Sequence, residues 1–244
     1  MNTLAVILAR SGSVGLPYKH LLTLLGRPVI SYTFDHARAA KSLTQTVVSS
    51  DCPNIRRLAN SAGFHAIERP AHLATSEASV QDVMLHTMDE VKADSGFHAD
   101  ALVVLYGNVP VRPAGVIDEA VNMLEQTHCD SVRSFCPVGK WHPAWMSRLD
   151  GDRVVPLEPG SVHRRQDLPP LWLHDGAVVA VSRAAMLRGR VDPDPHAFFG
   201  TDRRGIQTEA GATVEIDRPC DFYLAEAVLR AAQEQLQPSI RKAS

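Results

Sequence analysis

The sequence predicts a doubly wound α/β protein built on a mostly parallel sheet, and three observations carry that expectation. Short Val- and Leu-rich runs alternate with amphipathic stretches along the chain. The 244 residues, 45% hydrophobic and 21% charged, suffice for one substantial core. The polar residues of interest gather just after the carboxyl ends of those runs, where open α/β sheets bind their ligands.

The first run, residues 4–8, is uniformly apolar and breaks at Arg10, as a strand buried on both faces and entering a loop should. Periodicity then predicts a helix over 29–40, a strand over 46–50, helices over 55–62 and 79–91, a strand over 101–106, a helix over 114–126 and a strand over 131–135. From about 139 to 170 the pattern lapses into Trp141, Trp145, several prolines and a basic cluster. This is an arm or small lobe inserted in a single domain spanning 1–244. With exposed tryptophans and little core of its own, it predicts a homodimer contact. Residues 177–182 resume the strand pattern, 214–216 read as a last strand, and 219–235 form a helix with Pro219 in its first turn. Residues 237–244 are expected to fray.

Composition removes several classes of function. A formal net charge of −2 offers no global attraction to nucleic acid or to an anionic membrane. No apolar run nears the length of about 20 residues that spans a bilayer, and the opening run is too short for a secretory core. Cys52, Cys129, Cys136 and Cys220 are scattered without Cys-x-x-Cys pairing, as free thiols in a reducing compartment would be, so the cytoplasm is the expected location.

The loop over 9–19 carries Arg10, Ser11, Gly12, Ser13, Gly15 and Lys19. Its glycines let backbone N–H groups approach an anion while Arg10 and Lys19 flank the turn, an arrangement suited to a polyphosphate. The other reading is a loop whose glycines only serve the bend. Neither the P-loop spacing nor Gly-x-Gly-x-x-Gly is present. Near the other end, Glu215 and Asp217 flank Ile216, so in a strand both carboxylates share one face. Such a pair suits a divalent cation, with Mg²⁺ favoured beside phosphates; alternatively it is an exposed acidic strand end with Asp217 capping the next helix. Arg164 and Arg165 near Asp167 form either an anion-gripping pair or a surface ion pair. Arg112 and Lys140 are further anion candidates. His142 and His174 are weak candidates for a base, and no Gly-x-Ser-x-Gly or Cys/His arrangement favours covalent catalysis.

From about Leu4 to Leu229 these residues resemble the acylneuraminate cytidylyltransferase family. That family opens with Ala-Arg-x-Gly-Ser-Lys-Gly-Ile/Leu-Pro-x-Lys-Asn, which here is Ala9-Arg10-Ser11-Gly12-Ser13-Val14-Gly15-Leu16-Pro17-Tyr18-Lys19-His20. Its Arg-Pro-x-x-Leu-Ala-x-Asp-x-Ala-Ser appears as Arg69-Pro70-Ala71-His72-Leu73-Ala74-Thr75-Ser76-Glu77-Ala78-Ser79. Trp141-His142-Pro143-Ala144-Trp145-Met146 and Arg164-Arg165-Gln166-Asp167-Leu168-Pro169 extend the likeness. Val14 replaces a loop lysine, His20 an asparagine, and Glu215 an aspartate. The Gly-x-x-Pro frame at Gly107-Asn108-Val109-Pro110 looks more like the Gly-Asp-x-Pro of KDO cytidylyltransferases, with Asn108 in place of a charged ligand.

The resemblance implies a nucleotide-diphospho-sugar transferase-like, Rossmann-like fold and transfer of CMP from CTP to a small acid, releasing pyrophosphate. It implies CTP contacts at Leu8, Ala9, Arg10, Ser11, Gly12, Ser13, Gly15, Lys19, His20, Arg69, Ala78, Ser79 and Asn108, with Arg10, Lys19 and Asp217 as the catalytic set. Mg²⁺ falls to Glu215 and Asp217. Acceptor contacts are expected at Arg112, Lys140, Arg164, Arg165, Gln166 and Asp175, the last standing where the family has asparagine. The departures cluster where metal and acceptor should meet, so a phosphonate or KDO-type acid is an alternative acceptor, and a non-catalytic nucleotide-binding homologue is the alternative class.

Overall fold

In the computed structural model, residues 1–12, 15–158, 160, 162 and 164–235 are described; the expected frayed tail at 237–244 lies outside them. β1 (Thr3–Leu8) sends Leu4, Val6 and Leu8 into one apolar layer and Ala5 and Ile7 into the other, which is why its sequence shows no polar alternation. A short antiparallel pair, β2 (Thr23–Leu24) and β3 (Arg27–Pro28), leads into α1 (Val29–Ala39). Then follow β4 (Gln45–Ser50), α2 (Pro53–Ser61), β5 (His65–Glu68) and α3 (Val80–Ser95). Pro53 opens α2 where a missing N–H costs nothing, and Ser79 caps α3 by accepting from the Asp82 N–H at 3.0 Å.

β6 (Ala101–Tyr106), α4 (Val116–Thr127) and β7 (Ser131–Pro137) continue the alternation. The segment after β7 holds the exposed hairpin β8 (Ser147–Asp150) and β9 (Arg153–Pro156), and the chain returns through β10 (Trp172–Ser182), α5 (Arg183–Arg188), β11 (Arg203–Gln207) and α6 (Pro219–Gln235). The main sheet runs β11-β7-β10-β6-β1-β4-β5, parallel except for β10, which pairs antiparallel with both β6 and β7. Helices cover both faces, as the apolar strands require.

Three elements depart from the expected pattern. β5 and β11 escape periodicity because each has one fully buried apolar residue, Ile67 and Ile206. Residues 214–216 do not join the sheet; Val214 makes a single antiparallel bridge to Val111. That segment is held by a small third core in which Val214 and Ile216 pack with Leu24, Val29 and Ala225. The consequence is positional: the acidic segment is drawn against the start of α1 and the loop after β1.

Candidate active site

A cavity of about 500 Å³ opens beyond the carboxyl ends of β1 and β6. Leu8, Ala9, Arg10, Gly15, Lys19 and His20 form one wall, Arg69, Ala78 and Ser79 a second, and Asn108, Glu215 and Asp217 a third. Three distant stretches of sequence therefore converge. The contact between the first and third walls is direct: Lys19 Nζ lies 2.5 Å from Asp217 Oδ1, across 198 residues of chain. Gly15 makes the approach possible, since a Cβ there would stand 2.6 Å from the Asp217 carbonyl oxygen.

The acidic wall is stitched to the loop after β6. The Ile216 N–H donates to the Asn108 carbonyl at 2.8 Å, and the Asn108 Nδ2 lies 3.1 Å from Glu215 Oε1 and 3.3 Å from Asp217 Oδ1. Both carboxylates thus face the same amide. Asp221, at the start of α6, accepts from the Asp217 and Arg218 N–H groups at 3.1 and 2.8 Å and fixes the backbone there. Burial, and then the neighbouring Asp217, push the Glu215 carboxyl above its ordinary range. Lys19 offsets part of this negative charge from the Asp217 side. Among the described residues no group of three His, Cys, Asp or Glu side chains forms a metal cage. Two converging carboxylates beside a cationic wall nevertheless fit Mg²⁺, which takes one or two protein carboxylates and completes its shell with phosphate and water oxygens.

The opposite wall is cationic but desolvated. Arg10 donates to the Thr75 carbonyl, tying the loop to the segment after Arg69. Arg69 anchors on Ser49 through Nε to Oγ at 3.2 Å and Nη2 to the carbonyl at 2.8 Å, and burial brings its guanidinium down to about 10. His20 is pushed down to about 3 by burial and then by Lys19, so it is neutral in the working pH range, and its Nδ1 is buried without a partner among the described residues. The N-terminus of α3, at Ser79 and Val80, adds the positive end of a 16-residue helix.

Not every expected residue reaches the cavity. Ser11 gives its N–H and its hydroxyl to Asp51, and Gly12 lies off the wall; Ser13 and Val14 lie outside the described residues. Two acceptor assignments are corrected. Arg112 is buried, with Nε donating to the Ala177 carbonyl at 2.6 Å and Nη1 2.8 Å from His36 Nδ1. Asp175 receives the hydroxyls of Ser134, Thr208 and Thr213 and the Ala177 N–H, tying β7, β10 and the end of β11 together. Burial pushes its carboxyl up, and those four donors outweigh burial and hold it below the usual range. Arg112 is buried away from any ligand, and the part-buried Asp175 has its carboxylate taken up by these four donors.

Lys140, Arg164, Arg165 and Gln166 sit on the projecting segment, away from this cavity within one chain. Lys140 lies over Trp141 and Arg164 pairs with Asp167 at 2.8 Å, the ion-pair reading of that motif. His142 and His174 hold backbone carbonyls of Pro169 and Ser134. Reading the sequence missed Thr75, Ser76, Tyr106 and Arg218 on the cavity wall. Tyr106 carried a visible signal, an aromatic residue closing an apolar strand at its ligand-binding end.

A three-walled cleft of this kind, at the carboxyl edge of a mostly parallel sheet, with cations, a helix N-terminus and two carboxylates, defines a nucleotide-handling α/β protein. The chain belongs to the cytidylyltransferase family, whose pattern it matches over residues 4–238. It is 28% identical over 226 residues to an N-acylneuraminate cytidylyltransferase of Streptococcus agalactiae, covering 91% of this chain and 52% of that protein. It is 25% identical over 240 residues to a CMP-N,N'-diacetyllegionaminic acid synthase of Legionella pneumophila, covering 97% and 100%. The chain thus spans about half the length of the streptococcal relative and all of the Legionella one. Among solved structures, a CMP:2-keto-3-deoxy-manno-octonic acid synthetase complexed with CTP shares the fold, with a TM-score of 0.73 at 19% identity over 96% of this chain and 100% of that one.

Proposed function

We propose that this protein transfers CMP from CTP to a small acidic acceptor. The observation that carries the reading is the convergence of Lys19, Asp217 and Asn108 on one cleft. An acceptor oxygen attacks the α-phosphorus, the bond from that phosphorus to the β-phosphate oxygen breaks, and pyrophosphate departs with the electron pair. This step needs alignment and charge neutralisation rather than a protein nucleophile. Arg10 and Lys19 neutralise the phosphates from one side, and the α3 N-terminus faces them from another. Arg69, Ala78, Ser79 and neutral His20 line the nucleoside end. Glu215 and Asp217 would hold Mg²⁺, which when bound offsets negative charge on the phosphate oxygens. Where the acceptor offers a hydroxyl, its proton passes to a carboxylate of this wall, Asp217 in our reading; an already ionised acid requires no base.

The chain works as a homodimer in this reading. Trp141, 63% exposed, and the hairpin residues Leu149, Val154 and Val155 present apolar surface with no core beneath them. Sedimentation of the full chain at the dimer mass supports this, and monomer at assay concentration opposes it. No described helix is long and apolar enough to cross a membrane, and the four cysteines are free thiols, which supports a cytoplasmic place.

The test of the central reading is ligand preference followed by turnover. At about 100 times its dissociation constant a ligand adds roughly 2.7 kcal/mol to stability, so CTP with Mg²⁺ should raise the melting temperature more than ATP, GTP or UTP. Pyrophosphate should then appear from CTP only when an acid acceptor is present. Equal shifts with all four nucleotides, or no pyrophosphate with any sialic, KDO-type or phosphonate acid, would sink the proposal.

A further inference from the structure

With Arg112 and Asp175 committed to the fold, the cations left on the cleft wall are Arg10, Lys19, Arg69 and Arg218, and one arginine nearby has no ion-pair partner among the described residues. Arg133 lies in β7 between Val132 and Ser134, which point into the buried layer on the other face. Its own side chain therefore shares the face of Phe135 and of Tyr106, the cavity-wall residue at the end of β6. The register makes the relation concrete: Arg133 pairs with Val179 of β10, which pairs with Val104, two residues before Tyr106. Two strand spacings, roughly 10 Å, separate Arg133 from that row. Arg133 does not itself line the cavity of about 500 Å³; Tyr106 stands between them, near enough for its phenol and the guanidinium to act on each other electrostatically.

The guanidinium is held but not neutralised. Its carbon stands 4.3 Å from the Phe199 ring centroid and 5.1 Å from that of Phe135, and its Nε is buried with no hydrogen-bond partner among the described residues. Arg203 lies on the same Phe199 ring at 5.9 Å, so two cations share one aromatic platform. The surrounding carboxylates are engaged elsewhere: Asp130 with Arg188, Asp202 with Arg204, Asp175 with its hydroxyls. Burial, then Arg203, draws the Arg133 guanidinium below its ordinary range, with Tyr106 opposing the shift. A half-buried arginine beside a like charge gains from an anion bound there.

We propose that Arg133 is the seat for an oxyanion of the acceptor, a carboxylate or phosphonate group reached from the nucleotide cleft past Tyr106. This rests on the cytidylyltransferase reading, and it names the acid-binding end that reading leaves open. Arginine suits the task because its planar fork matches both oxyanions.

Calorimetric titration of the full chain with N-acetylneuraminate, 3-deoxy-manno-octulosonate and phosphonoacetate, each in the presence of saturating CMP, tests the seat directly. The wild type should bind at least one acid; Arg133→Gln should weaken it about tenfold or more, and Arg133→Lys should recover part of the loss. CTP affinity should be the same in all three proteins. Preference for a sugar acid identifies a carboxylate guest, and preference for phosphonoacetate a phosphonate. Unchanged acid binding in Arg133→Gln, loss of CTP affinity in parallel with the acid, or no acid bound by the wild type each overturns the proposal. Failure of the wild type to bind CTP would instead strike the nucleotide reading, leaving the acid comparison to judge Arg133 alone.

Discussion

Replacing Lys19 by Met, or Asp217 by Asn, should lower CTP-dependent pyrophosphate release by roughly 10²–10³-fold while leaving the melting temperature nearly unchanged. The two halves of this expectation come from different magnitudes. The Lys19–Asp217 pair is open to water on the Asp217 side, whose side chain is 58% exposed, and an ion pair in that setting contributes about 0–1 kcal/mol to folding. In turnover the same groups face charge that develops on transferring phosphate, where a single fixed donor or cation contributes about 2.7–4 kcal/mol. Catalytic loss should therefore exceed stability loss by a wide margin. Asp217→Asn should also reduce the extra thermal stabilisation that Mg²⁺ gives in the presence of CTP, a readout separate from rate. Wild-type turnover in both variants would show that the converging walls do not form the reaction centre.

The main strands were legible because a parallel sheet covered on both faces demands uninterrupted apolar runs, and 4–8 and 101–106 are such runs. The N-terminal loop and the acidic segment were legible as separate signals, but their meeting was not. Nothing in the spacing shows that Gly15 lets its loop touch the Asp217 carbonyl, or that Val214 and Ile216 join a core with Leu24 and Val29. Arginine roles were the least legible. Arg112 and Arg133 carry the same chemistry, yet Arg112 is buried against His36 and the Ala177 carbonyl, while Arg133 lies on the face shared with Tyr106. A charge inside the strand-like 131–135 pattern, two residues before Phe135, was the available sign of the second. It is readable only once β7 is known to alternate between a fully buried layer and one in which Arg133 and Phe135 are half-buried.

Asp175→Ala should destabilise the protein by about 3 kcal/mol, the largest folding loss expected from any single polar residue near the cleft. In the native state its two oxygens take three hydroxyls and one backbone N–H, and the Ser134 hydroxyl that serves it also receives the Val178 N–H at 3.1 Å. This network fills the irregular stretch where the β10 register shifts between His174 and Val179. Gly176 turns there with φ of 77°, and Glu215 Oε2 stands 3.1 Å from where its Cβ would be. Removing the carboxylate leaves several donors unpaired at once, so the effect exceeds that of one lost hydrogen bond. At roughly 2–4 °C per kcal/mol for a protein of this size, the melting temperature should fall by about 6–12 °C. Because the bend carries the backbone against Glu215, the loss should spread to the acidic wall: Mg²⁺-dependent stabilisation should weaken, while CTP binding in the absence of metal should hold. An Asp175→Ala protein that melts like the wild type but binds the acid acceptors more weakly would return this residue to the acceptor site and break the structural assignment.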